Sequence, residues 1–384
     1  MSPLRLCITS YRLYIAVKFN MQKLHLHEFH STLGARFGAE HGTELVLNYG
    51  NPASEYQALR KTAALLDLSF RGRVCITGKD RARFLHGQVT NKIQGLQPGE
   101  GTYAALVNAK GRMESDLNIY VLSEELLLDF EPGLTATVSG RLEKYIVADD
   151  VQVIDVGALY GLLSVQGPQA AGALRNSGVF AELPEGKYRF KRLTEWKTGE
   201  LYLMNNPRFG EVGFDLFVPM ESMASIAERI FEALGILGGR WAGWDAQEAA
   251  RIELGIPRFG IEMDGSNFPQ ESGIEASAVS YDKGCYIGQE VLNRIHTLGH
   301  VNRQLRGLVL APGLKALPVR GDKLFREGKE AGCITSALAS PGLKQNIALG
   351  LVRKEAGEIG TQLSLRTADG ETAVRVVSLP FDGS

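Results

Sequence analysis

The sequence predicts an α+β protein: two tandem ferredoxin-like units followed by a small C-terminal β-barrel domain. Three observations carry this. Residues 53–158 run through strand, helix and strand signals in an order close to β-α-β-β-α-β. A second pass through a similar pattern starts at once and fills 159–240. From Val301 onward the pattern becomes short β-rich runs separated by Gly and Pro, the texture of a barrel or sandwich. At 384 residues the chain is too long for one simple core, so two or three domains are expected.

Residues 53–68 read as a helix, with Tyr56, Leu59, Ala63 and Leu66 at helical spacing. Arg73–Thr77 is the first strand of the first unit. The turn Gly78-Lys79-Asp80 opens a helix carrying Ala82, Leu85, Val89 and Ile93. Strands follow at 102–107, 113–122 and 126–130. A helix begins at Pro132-Gly133 with Leu134, Val138, Leu142, Tyr145 and Ile146 along one stripe, and a strand at 151–156 closes the unit. The second pass has a strand at 162–165, a helix after Gly167-Pro168, strands near 188–193, 200–204 and 212–218, and a helix over 221–234. Ile76–Asp80 and Val165–Gln169 occupy matching places, which reads equally as a weak duplication or as two ordinary strand-turn-helix units. Trp241 and Trp244 are expected to pack the helix 244–254. The boundary before the barrel falls near 298–304, so that 21–300 forms the first domain, with a 241–300 segment after its two halves, and 301–384 the second.

Composition narrows the function. The chain is 44% hydrophobic and 22% charged, ordinary for a folded protein, and its net charge of -1 leaves no basic excess to hold a phosphate backbone. Stable nucleic-acid binding is not expected, and no apolar run is long enough for a membrane helix. The four cysteines, Cys7, Cys75, Cys285 and Cys333, are scattered without a Cys-x-x-Cys pair, as in a cytoplasmic, reducing setting, and no metal site is expected. His25, His27 and His30 follow no ligand pattern and are expected on the surface. Residues 1–20 carry Arg5, Arg12 and Lys18 and no acid; they read as an extended start ahead of Met21, or as a targeting segment.

Cys285 stands out for its setting. Lys283 lies two positions before it, and a nearby cation favours thiolate over thiol. Gly284 and Gly288 allow a sharp bend, and Gln289–Ile295 can start a helix whose dipole favours negative charge at its N-terminus. These features predict a partly exposed, reactive thiol; the competing reading is a buried small hydrophobe.

Lys283-Gly284-Cys285-Tyr286-Ile287-Gly288-Gln289-Glu290, with Arg294 four residues on, resembles the K-G-C-[FY]-x-G-Q-E-x-x-x-R signature of the YgfZ folate-binding proteins. From about Leu45 the chain is also similar to the T-protein (aminomethyltransferase) superfamily. Asp67-Leu68-Ser69, Gly78-x-Asp80 with Phe84-Leu85, Asn108-x-x-Gly111 with Asp116, Gly210-Glu211-x-Gly213-Phe214-Asp215, Arg251–Gly260, and Thr335-Ser336 with Ser340-Pro341 carry that likeness. The resemblance implies tetrahydrofolate as the bound cofactor and Cys285 as the reactive thiol. It further implies a role in building or repairing iron-sulfur clusters, with assembly proteins or client enzymes, some of them tRNA-modifying, as partners.

In physical terms Glu211 is the candidate to grip the pterin edge with paired hydrogen bonds, or else a surface residue in a turn. Arg251, then Arg258, are candidates for the carboxylate tail; the competing role for Arg251 is a salt bridge to Glu248 or Glu253. Asp116 is either a folate contact or an edge-of-sheet carboxylate facing water. The resemblance implies paired acids on that strand, where this sequence has Ser115-Asp116, and this argues against a classical transferase. The alternative function is aminomethyl transfer on folate, as in the T-protein.

Overall fold

The computed structural model describes residues 21–194, 199–368 and 370–381, so the expectations for residues 1–20 and Cys7 lie outside it. Two compact units are present. The larger falls within Asn20–Ala250 together with Ala276–Asn293; the smaller takes Arg251–Glu275 and the described part of Arg294–Ser384.

The larger unit opens with a short helix α1 (His27–Thr32) and a hairpin, β1 (Arg36–Glu40) and β2 (Thr43–Asn48). Helix α2 (Pro52–Lys61) starts where Asn51 Oδ1 accepts the Ser54 amide at 3.1 Å and Pro52 supplies a preset φ at the first turn. It ends earlier than its spacing suggests. Ala64–Asp67 is instead strand β3, and all four of its residues are buried. A short continuous apolar run serves a buried helix or an interior strand equally well, and here an interior place in a sheet decides for the strand.

The first half follows: β4 (Gly72–Thr77), α3 (Arg81–Gln88), β5 (Gly101–Val107), β6 (Met113–Val121), β7 (Leu126–Phe130), α4 (Thr135–Glu143) and β8 (Gln152–Asp155). The second half repeats it: β9 (Tyr160–Gln166), α5 (Ala170–Asn176), β10 (Phe190–Leu193), β11 (Leu201–Asn205), β12 (Gly213–Pro219), α6 (Met223–Ile236) and β13 (Arg240–Trp241). The first sheet has the order β5-β6-β7-β4-β8 and the second β10-β11-β12-β9-β3-β13. Strand for strand the two match, except that β3 is inserted between β9 and β13, antiparallel to one and parallel to the other. Each half is the ferredoxin-like arrangement with one additional strand. The matching turns also agree: Gly78 (φ +96°) and Gly167 (φ +120°) hold the same place, and a Cβ would meet the Asp150 carbonyl oxygen at 2.0 Å or the Thr62 carbonyl oxygen at 2.7 Å. This favours duplication over coincidence.

Side chains alternate across each strand. Leu117, Ile119, Leu126, Leu128 and Phe130 pack with α3 and α4 in one core. Leu163, Val165, Phe214, Leu216 and Val218 pack with α5 and α6 in the other. The opposite faces of the two sheets meet each other, with Tyr120 edge-on to Phe217 at 5.9 Å, and that shared face is unusually polar. Two further expectations fail in this unit. His30 is fully buried rather than on the surface: Nε2 lies 3.0 Å from Asp67 Oδ2, and Tyr49 Oη lies 2.9 Å from Nδ1. Trp241 packs against His30 at 4.9 Å and not along the helix that follows it.

That helix is α7 (Trp244–Glu253); α8 (Glu275–Ala278) and α9 (Gln289–Leu298) come next. The smaller unit is built on a closed barrel of β14 (Arg303–Leu310), β15 (Lys323–Arg326), β16 (Lys329–Ala339), β17 (Asn346–Arg353), β18 (Gln362–Thr367) and β19 (Gly370–Val377), in the order β14-β17-β16-β15-β18-β19. Closure leaves no unpaired edge, and Leu308, Leu324, Ile334, Ala348, Leu365 and Val376 fill the interior.

Candidate functional site

Between the two sheets of the larger unit lies a charged network. Arg71 Nε donates to Asp129 Oδ1 at 2.7 Å, and Nη1 of the same guanidinium bonds Glu131. Arg208 donates from Nη2 to Asp129 Oδ2 at 2.8 Å and from Nε to both oxygens of Asp215 at 3.0 Å. Asn118 also donates to Asp129 Oδ2, and Asn206 and Ser164 to Asp215 Oδ2 and Oδ1. Both carboxylates are fully buried. Burial alone would raise Asp129, but the two guanidinium groups overcome it and hold it well below the usual carboxylate range. Charges matched in this way rigidify the interface between the halves.

Asp116 sits beside this network and differs from it. Strand β6 lies between β5 and β7, so Asp116 is not the edge carboxylate the sequence allowed. Tyr103, reached diagonally across the β5–β6 ladder, donates its hydroxyl to Oδ2 at 2.8 Å. Oδ1 is buried with no hydrogen-bond partner among the described residues. Burial, then the charge of Glu131, pushes the Asp116 carboxyl up to about 6. Tyr188 joins the site with a left-handed backbone, φ +63°, unusual for a side chain of that size. Burial raises its hydroxyl, and the charges it feels are Arg208, Asp116, Asp215 and Asp129. Ser115 is fully buried, and strand alternation turns it to the side of Leu117 and Ile119, opposite to Asp116. The missing acid at that position therefore weighs little against transfer chemistry.

The Cys285 loop is a second feature of the same unit. Cys285 is exposed and reduced, four residues before α9. Lys283 is buried at 7% exposure, and its ammonium donates to the carbonyls of His86 (2.5 Å), Val89 (2.6 Å) and Asn91 (2.9 Å). Tyr286 is buried, with its ring centroid 4.8 Å from that ammonium. Gly284 is exposed, Gln289 Nε2 reaches the Lys283 carbonyl at 3.5 Å, and Glu290 and Arg294 are exposed on α9. Gly288 has φ +84°; a Cβ there would lie 2.6 Å from the Asn108 carbonyl oxygen and 3.2 Å from the Gly111 Cα. Gly111, at φ +70°, packs in turn against Val291 and Leu292. Two motifs far apart in sequence thus exist as glycines so that two backbones can touch.

The remaining candidates fall elsewhere. Glu211 is exposed in the turn before β12, while its motif neighbours are structural: Asp215 belongs to the buried network, and Gly213 leaves space for Gln166. Arg251 lies in the smaller unit, 2% exposed, and donates to Glu262 Oε2 and Ser336 Oγ, both at 2.9 Å. This is the ion-pair role weighed against ligand binding, with Glu262 as a partner. The Arg258 amide donates to the same Glu262 oxygen at 3.0 Å. Sequence reasoning missed Tyr103, Tyr188, Asp129 and Arg208. Asp129 carried a signal, a lone charge in the apolar run Leu126–Phe130. Tyr188 carried none, because its place depends on a loop conformation.

Residues 26–283 match the GCVT N-terminal domain, and residues 303–382 match the glycine cleavage T-protein C-terminal barrel domain. An aminomethyltransferase of Halalkalibacterium halodurans is 28% identical over 94% of this chain and 98% of its own length. One from Bacillus subtilis is also 28% identical, over 88% of this chain and 93% of its own. The crystal structure of glycine cleavage system aminomethyltransferase T from Bartonella henselae superposes with a TM-score of 0.84 at 25% identity, covering 94% of this chain and 98% of that one.

Proposed function

Because the chain belongs to the glycine cleavage T-protein family, we propose that it binds tetrahydrofolate beside Asp116, between its two sheets, and acts in aminomethyl transfer on that folate. The observation that carries the reading is Asp116 Oδ1, a buried carboxylate oxygen without a partner, next to a fully satisfied network. Leaving such an atom unpaired costs about 1–3 kcal/mol, a cost that a ligand donor removes. Tetrahydrofolate supplies nitrogen atoms that accept a one-carbon unit. Asp116, with Tyr103 fixing its orientation, would hold or release a proton beside them near neutral pH. Tyr188 and Arg208 border the same space. The aminomethyltransferase relatives, similar over nearly their whole length, support transfer as the activity.

A second reading is favoured by a specific observation, the exposed thiol of Cys285 on an anchored loop. In it the folate-bound protein supports assembly or repair of iron-sulfur clusters in client enzymes, including tRNA-modifying ones, with Cys285 as a transient ligand. Among the described residues no group of three His, Cys, Asp or Glu side chains is arranged to hold a metal, so a partner would have to supply the other ligands.

One pair of experiments separates the readings. Methylenetetrahydrofolate formation from an aminomethyl donor is measured for the wild type and for Cys285→Ala. Turnover that survives Cys285→Ala supports transfer. Absence of turnover, with loss of cluster-enzyme activity in cells carrying Cys285→Ala and unchanged tetrahydrofolate binding, supports the second reading. If tetrahydrofolate does not bind the wild type, both are wrong.

A further inference from the structure

We propose that Lys283 is a positioning residue: its ammonium caps the C-terminal end of α3 from across the fold and so fixes the bend that displays Cys285. The proposal rests on Cys285 being a functional thiol. It assigns Lys283 a task other than serving as counter-ion to that thiol.

The last carbonyls of any helix lack partners within the helix. In α3 the chain itself closes only Leu85, whose oxygen accepts the Val89 amide at 3.2 Å. The segment 283–288 supplies the next two: Lys283 Nζ reaches the His86 carbonyl, and the Ile287 amide reaches the Gly87 carbonyl at 3.2 Å. Nζ also bonds the carbonyls of Val89 and Asn91, just past the helix. Three converging acceptors call for three N–H donors, which an ammonium has and a neutral amine lacks. The negative end of the helix dipole favours the same charged form. Burial opposes it, lowering the ammonium to about 7. The three short contacts fit the protonated state.

The rest of the loop is pinned on either side. Ser280 donates its amide to the Thr90 carbonyl at 2.9 Å, and Thr90 Oγ1 donates to the Ala278 carbonyl at 2.6 Å. Gly288 rests against Asn108. Between these ties Asp282, Gly284 and Cys285 face solvent, while Lys283 and Tyr286 are buried. The nearby imidazole of His86 accepts two amides on Nδ1, from Ile93 at 3.1 Å and Gln94 at 3.2 Å. Neutral His86 therefore carries its proton on Nε2, the atom that lies 3.8 Å from where a Gly284 Cβ would be. It presents a donor, not a base, toward the loop.

The test measures the rate of Cys285 alkylation by iodoacetamide against pH in the full-length protein, wild type and Lys283→Met. Cys75 is buried and Cys333 is half-buried, so Cys7→Ser and Cys333→Ser together in both backgrounds keep the signal specific. If Lys283 positions the loop, the high-pH plateau changes by about fivefold or more while the midpoint stays within about 0.3 units. A midpoint raised by about one unit or more makes Lys283 the thiolate's counter-ion and overturns the proposal. An unchanged plateau overturns it as well. Should Lys283→Met fail to fold, acetylation of the wild type decides: Lys283 should react about tenfold or more slowly than the exposed Lys92 and Lys110, and equal rates refute the cap. None of these readouts needs folate transfer or cluster assembly, so those readings can fail while this one stands.

Discussion

Replacing Asp116 by Asn should stabilise the free protein at neutral pH and cripple folate binding, and the size of the first effect follows from the site. The carboxyl is raised from 3.8 to about 6, chiefly by burial and then by Glu131. A group whose folded value is raised gives up protons later than it does in the unfolded chain. The stability it contributes is therefore intact below about 4 and is lost as pH rises through about 6. A shift of about two units is worth about 3 kcal/mol, an upper figure because the side chain is only half-buried and solvent screens part of the cost. Asn keeps an acceptor for the Tyr103 hydroxyl and carries no charge, so Asp116→Asn should recover about 1–3 kcal/mol at pH 7.5 and nothing at pH 4. Thermal unfolding at pH 4, 5, 6 and 7.5 reads this as a variant-minus-wild-type difference that grows with pH, by about 2 °C or more at the top of the range. In parallel, tetrahydrofolate affinity should fall about tenfold to a hundredfold, the worth of a hydrogen bond to a charged group. A pH-independent stability difference would show that the carboxyl is not held neutral by its surroundings. Unchanged affinity would remove Asp116 from the ligand site.

Arg208→Met leaves Asp129 and Asp215 buried without their shared guanidinium and should cost about 3–5 kcal/mol at pH 7, read by urea unfolding. Asp129 is held below its usual range, so its stabilisation is present above about 4 and fades as pH falls. The penalty of Arg208→Met should shrink in step, and a penalty equal at pH 3 and pH 7 would contradict this account. Gly288→Ala places a Cβ 2.6 Å from the Asn108 carbonyl oxygen at a positive φ, and should destabilise by about 1–3 kcal/mol and speed proteolysis within 280–290. Gly284→Ala, with only the His86 ring at 3.8 Å, should change stability by less than about 0.5 kcal/mol; a large loss would contradict the open space around Gly284.

The sequence by itself determined the two-pass α+β pattern and the barrel after Val301. These are written in local signals: alternation, helical spacing, and glycines at turns, each of which acts within about ten residues. Tertiary structure alone decided the rest. Whether Ala64–Asp67 is helix or strand depended on a vacancy between β9 and β13, formed by residues about a hundred and more positions away. Whether His30 lies outside or inside depended on Asp67 and Tyr49 meeting it. Asp116 became distinctive only because Arg71 and Arg208 pair with Asp129 and Asp215, leaving its Oδ1 without a donor among the described residues. Lys283, two residues from a cysteine in sequence, has its charge in the carbonyls at the end of α3 instead. Periodicity fixes which face of an element is buried; what a buried polar group bonds to is set by chain segments that spacing cannot see.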